Sequence, residues 1–225
     1  MKEKITLKSR LENFWYFYKW QTILLGIIII GGIFALIQSL QNYPSDVSIM
    51  YIGEGYLTPA VKTDMYKKSK DYMIDYNNDG HYELTMIDIN IDMSVYDLSK
   101  EKNAANWEAN AQAVQRFHTE TAAGEAMIYI VEKSFYDLLL GKNILCPLNL
   151  VLDNDLIPEN TKDEYSIQIS ELQFFNQEAF SSIPKEYILC LRRSPDDDTI
   201  KYGRSIEYWK SNVHYFKEIF RYSTT

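Results

Sequence analysis

The residues whose types and spacing could do chemistry lie together in one short segment, Asp75-Tyr76-Asn77-Asn78-Asp79-Gly80-His81-Tyr82-Glu83. With Asp75 as position 1, oxygen-bearing side chains stand at positions 1, 3, 5 and 9, and a glycine stands at position 6. In a tightly wound loop alternate residues point inward, so oxygens at odd positions converge. A hard cation that takes only oxygen ligands, calcium above all, is the species such a set would hold. Asp75, Asn77, Asp79 and Glu83 would offer side-chain oxygens, and His81 its backbone carbonyl. A plainer reading stands beside this one: a solvated Asn/Asp/Gly turn joining a helix to a strand. It explains the glycine and the polarity, but less readily an oxygen at each of the four positions.

An EF-hand loop would place a bidentate glutamate at position 12, where this chain has Met86. The segment instead resembles the calcium loops of FG-GAP and integrin-type repeats, D-x-[DN]-x-D-G-x-x-[DE] followed by a strand. Glu83 and the strand-like run from Leu84 match that pattern. The resemblance implies a structural calcium site with an affinity on the order of 10⁻⁴–10⁻³ M, stapling the preceding helix to the next strand. Other candidates carry less. Gly53-x-Gly55 follows a strand-like run, but Thr58 stands where a dinucleotide fingerprint needs its third glycine. Asp196-Asp197-Asp198 after Pro195 reads as a solvated turn, and His118 and His214 read as structural or surface residues. G-x-S-x-G, Walker A and H-E-x-x-H motifs are absent from the sequence. An enzymatic alternative rests on carboxylates alone: a pair of them converging unseen, as in an envelope hydrolase.

Where such residues would work depends on residues 22–40, TILLGIIIIGGIFALIQSL. As a helix at about 1.5 Å per residue this stretch spans about 28 Å, close to the hydrocarbon thickness of a bilayer. No charge lies between Lys19 and Asp46. Residues 1–21 carry Lys2, Lys4, Lys8, Arg10 and Lys19 against Glu3 and Glu12, which places this end in the cytoplasm by the positive-inside rule. Phe14-Trp15-Tyr16-Phe17-Tyr18-Lys19-Trp20 suits the headgroup level. A cleaved signal peptide is the rival reading, but Ala35-Leu36-Ile37 and Ser39-Leu40-Gln41 are poor cleavage sites. The expected organisation is a cytoplasmic segment 1–21, a single span 22–40 in the lipid bilayer, a tether 41–45 and an extracytoplasmic domain 46–225.

That domain is acidic. Removing residues 1–41 leaves 18 basic and 29 acidic side chains, from totals of 23 and 31, a net charge of −11. Such a surface argues against nucleic acid as a partner. Cys146 and Cys190 sit in apolar runs, so a disulfide outside the membrane and two buried thiols both remain open.

Periodicity lays out the domain. Strand-like runs at Asp46–Ile52, Leu84–Ile91, Ala126–Val131 and Tyr187–Leu191 alternate with helical patterns at 59–72, 103–123, 134–140 and 205–222. On the last helix the apolar spacing selects Trp209, Val213, Phe216 and Phe220 as the inner face, and on the second long helix Trp107, Ala111, Val114 and Phe117 or His118. Such alternation predicts an α/β domain, a mostly parallel sheet flanked by helices. The run Ala123-Gly124-Glu125-Ala126-Met127-Ile128-Tyr129-Ile130-Val131, then Phe135–Leu139 and Gly141–Leu148, resembles one lobe of type 2 extracellular solute-binding proteins. The opening Leu11-Glu12-Asn13-Phe14-Trp15-Tyr16-Phe17-Tyr18-Lys19-Trp20 resembles uncharacterised single-span membrane proteins of clostridial-type bacteria. The single span, the fold pattern and the lack of a catalytic constellation point to a membrane-anchored, non-enzymatic binding or interaction module facing a neighbouring membrane or envelope protein; the second resemblance implies no activity.

Overall fold

The structure, a computed structural model, describes residues 7–41, 44–92, 104–158, 161, 163–195 and 205–222. The chain divides into two compact units, 1–43 and 44–225.

Among the described residues the first unit is one helix, α1 (Leu7–Gln41). It starts well ahead of Thr22, because nothing between Leu7 and Gln21 breaks a helix and the aromatic run simply continues it. Phe14–Leu36 is long and apolar enough to cross a membrane. Of the expected tether, residues 42 and 43 lie outside the described residues. Ser45 already belongs to the second unit, buried with its hydroxyl 3.2 Å from that of Tyr208.

The second unit is built on a five-stranded sheet: β1 (Val47–Gly53), β2 (Leu84–Asn90), β3 (Ile128–Val131), β4 (Ser166–Gln168) and β5 (Ile188–Leu191). The spatial order is β2-β1-β3-β5-β4. β1 pairs in parallel with both β2 and β3, while β5 runs antiparallel to both β3 and β4. Only β5 is reversed, so the sheet is mixed. The expectation of parallel crossovers fails at β5 because the chain returns to it through short 3₁₀ turns between Ile169 and Phe180, with no crossover helix. Every residue of β1, β3 and β5 is buried, as strands covered on both faces must be.

Alternation within each strand sorts the core into two layers. Val47, Ile49, Tyr51, Ile128, Ile130, Leu189 and Leu191 face α2 (Pro59–Ser69) and α5 (Ile206–Arg221). Met50, Ile52, Ile87, Ile89, Tyr129, Val131 and Cys190 face Phe117 of α3 (Ala104–Ala123) and Phe135, Tyr136 and Leu139 of α4 (Lys133–Gly141). Thr58 caps α2 by accepting from the Val61 amide at 3.3 Å, with Pro59 in the first turn. Gly124 ends α3 with a positive φ of 69°.

The expected inner faces of α3 and α5 need correction. On α5 the buried residues are Tyr208, Ser211, Asn212, Tyr215, Phe216 and Ile219, with Trp209, Val213 and Phe220 only partly buried. Two of the seam positions are polar and satisfied by hydrogen bonds: Asn212 donates to the Asp46 carbonyl and accepts from the Ser48 amide, and Ser211 donates to the Ile74 carbonyl. On α3, Phe117 is inside as expected. Trp107 is exposed, and buried Asn110 takes its place by bonding both the amide and the carbonyl of Asp92.

Candidate functional site

The 75–83 loop enters β2 at the edge of the sheet where β1 starts. Its winding is tight: Asn78 and Gly80 both have positive φ, 55° and 81°. Asp75 accepts from the amides of Asp79 (3.1 Å) and Gly80 (2.8 Å). Asn77 accepts from the Asp79 amide at 3.1 Å, and Asp79 from the His81 amide at 2.8 Å. The side-chain amide of Asn77 donates to Asp79 at 2.8 Å. Asp75, Asn77 and Asp79 thus turn their side-chain oxygens onto backbone N–H groups of the same loop, and His81 takes part through its amide. Glu83 joins through its backbone, which exchanges bonds with Asp46. Among the described residues, no three His, Cys, Asp or Glu side chains form a group that could hold one metal ion.

Sequence reading missed the residue that organises this loop. Asp46, 1% exposed, accepts from the Tyr76 amide at 3.2 Å and from the Glu83 amide at 2.9 Å, one bond to each carboxylate oxygen. Its own amide donates to the Glu83 carbonyl at 2.8 Å. Burial pushes its carboxyl group above the ordinary value of 3.8, helped by the nearby charges of Asp75 and Asp79. The two amide bonds pull the other way and only partly offset it. Asp46 thus ties the loop's two ends to the start of β1, the stapling role anticipated for a metal.

The opposite edge of the sheet carries a cleft. In the order β2-β1-β3 the chain passes from β1 to β2 on one side and then back past β1 to β3 on the other, and open α/β sheets bind ligands at such a reversal, outside the carboxyl ends of the strands. Here the carboxyl ends of β1 and β3 meet the start of reversed β5. Glu54 follows β1, Glu132 and Lys133 follow β3, and Pro184, Glu186 and Tyr187 precede Ile188 of β5. Together with Gln168 and Ile188 they line an open cleft of about 720 Å³. A second chamber of about 520 Å³ shares Lys133, Gln168 and Ile188 and reaches Tyr136, Asp163 and Ser166.

The floor is fixed by aromatic packing. The Tyr187 ring stacks on Tyr51 with centroids 5.4 Å apart and planes at 24°. Its hydroxyl accepts from the Tyr51 hydroxyl and the Glu54 amide, and burial raises both phenols above their usual range. The ring and hydroxyl lie so close over Gly53 that any Cβ there would overlap them. That close approach is the physical reason for the glycine read from sequence as half of a dinucleotide fingerprint. In the second chamber the Tyr136 hydroxyl donates to Asp163 at 2.6 Å, and Asp163 also accepts from the Tyr165 amide. The cleft is acidic, with Glu54, Glu132 and Glu186 against Lys133, which disfavours a pyrophosphate. Apart from the glycine-flanked turn at Gly53-Glu54-Gly55, no local pattern marks these residues, because they come from four separate turns.

His118 is exposed and His214 half-buried on α5; Asp196, Asp197 and Asp198 lie outside the described residues. No protein-family model, curated protein or solved structure matches this chain.

Proposed function

We propose that the protein is a membrane-anchored, extracytoplasmic, non-enzymatic binding module, a single α/β lobe of the solute-binding kind that receives its ligand or a neighbouring envelope protein at the carboxyl edge of the sheet. The observation that carries this reading is the cleft at the β1/β3 reversal, floored by Tyr187 and Tyr51. α1 supplies the anchor, with its basic flank on the cytoplasmic side. The envelope-hydrolase alternative has less support: among the described residues the carboxyl group that burial pushes up is Asp46, which lies at the other edge with both oxygens engaged. Gly53→Ala would drive Tyr187 from its seat and deform the cleft. In detergent-solubilised full-length protein, this substitution is expected to abolish recovery of crosslinked partners and ligand-induced thermal shifts seen with the wild type. Equal recovery by both proteins would move the binding site elsewhere.

Calcium on the 75–83 loop is a second reading, favoured by the convergence of Asp75, Asn77 and Asp79 oxygens on one short stretch of backbone. Millimolar calcium should then raise the melting temperature of the full chain and EDTA reverse it. Unchanged melting in both would leave the loop as a turn held by Asp46.

A further inference from the structure

Resting on the carboxyl-edge reading, we propose that the cleft selects an elongated organic cation, a small amine with an apolar body, over neutral or anionic compounds. The cavity and the topological reversal argue for a ligand independently of charge; its lining then decides the sign. Among the described residues Lys133 is the one cation in the wall, and it is already engaged: its ammonium pairs with Asp137 and lies 4.8 Å from the centre of the Tyr136 ring. Glu54, Glu132 and Glu186 form no ion pair among the described residues, and the carboxylates of Glu132 and Glu186 both act on the Tyr187 phenol below them. An anion entering here would meet a surplus of negative charge.

A bare metal ion fits less well than an organic cation. No three of the cleft's carboxylates form a group able to ligate one ion. A spread of charges around about 720 Å³ instead suits a ligand that fills the space and offers ammonium groups to more than one of them. Ile188 and Pro184 give its hydrocarbon part an apolar wall. The adjoining chamber, joined through the shared Lys133, Gln168 and Ile188, lengthens the path toward Tyr136.

The test uses the full-length protein in nanodiscs, with cadaverine and spermidine as cationic probes, glucose as a neutral probe and succinate as an anionic one, each followed by calorimetry. The amines should bind, and 0.5 M salt should weaken them. The double substitution Glu132→Gln, Glu186→Gln should weaken them about tenfold or more. Both side chains are at least partly exposed, so the variant should fold, and circular dichroism checks that it does. Unchanged amine affinity in the double variant overturns the proposal. So does succinate or glucose binding as tightly as the amines; if Gly53→Ala abolishes that binding, the cleft remains a binding site and only the charge preference is wrong. Absence of binding by every probe overturns the cation preference, and the cleft reading then rests on the crosslinking comparison with Gly53→Ala.

Discussion

Asp46 is a carboxylate that folding removes from water and then occupies fully. Each oxygen accepts one backbone N–H, from Tyr76 and from Glu83. Asn at this position keeps the shape but turns one acceptor into a donor, so one of the two amides would face an NH₂ group. A buried donor left without an acceptor costs about 1–3 kcal/mol. Asp46→Asn should therefore lower unfolding stability by about that amount in urea at neutral pH; a midpoint equal to wild type would refute the clamp. The pH dependence follows from the direction of the shift. The folded-state pKa lies above the unfolded value, so folded protein binds more protons in the window just above 3.8. The contribution of Asp46 to stability is present below that window and declines as pH rises through it. The gap between wild type and Asp46→Asn should thus widen on acidification, a trend read from denaturation midpoints across that pH range.

Arg192 shows how elements are joined by groups that periodicity does not reveal. It follows β5, is 3% exposed, and forms an isolated bridge with Leu145. Its guanidinium donates to the Thr121 carbonyl in the last turn of α3 at 2.8 Å and to the Tyr129 hydroxyl at 3.0 Å. A cation is well placed at the carbonyl end of a helix. Arg192→Met keeps apolar bulk but strands a carbonyl and a buried phenol, and should destabilise by about 3 kcal/mol in urea. A loss below about 0.5 kcal/mol, the scale of ordinary surface changes, would mean that the contact holds nothing together. The same logic explains what sequence could and could not tell. β1, β2, α2 and the limits of α3 and α5 were legible because apolar period, caps and glycine act locally. The inward face of α5 was not, since Ser211 and Asn212 are polar and are buried only because partners on distant segments satisfy them. β4 is three residues long, too short to alternate recognisably. The reversal of β5 and the clamp at Asp46 are long-range facts, as is the cleft, whose wall draws on segments from Glu54 to Ile188.

At the scale of the whole molecule, two questions left open by the sequence turn on topology. The first concerns thiols. Cys146 packs with the α2/α5 layer and Cys190 with the α3/α4 layer, on opposite faces of the sheet, and both are buried thiols outside any disulfide. Burial also pushes the Cys190 thiol up, away from its reactive form. Alkylation of the native protein should label neither, while denaturation without reductant should expose two. The second question is whether α1 stays attached. Its flank carries five basic and two acidic residues before Gln21, and the chain beyond residue 41 carries a net charge of −11. By the positive-inside rule the basic flank supports the proposed orientation, with that flank inside. The helix runs unbroken from Leu7 to Gln41, with aromatic residues from Phe14 to Trp20 at one end of its apolar length. A signal sequence would instead be lost near the end of the apolar run. In cells carrying an N-terminal and a C-terminal tag, the two tags should remain on one polypeptide of full mass. Protease added outside should remove the C-terminal tag and leave the N-terminal one protected by the membrane. Loss of the N-terminal tag without added protease would show cleavage, and with it the anchor, the orientation and the placing of the acidic domain beside a membrane partner would all fall together.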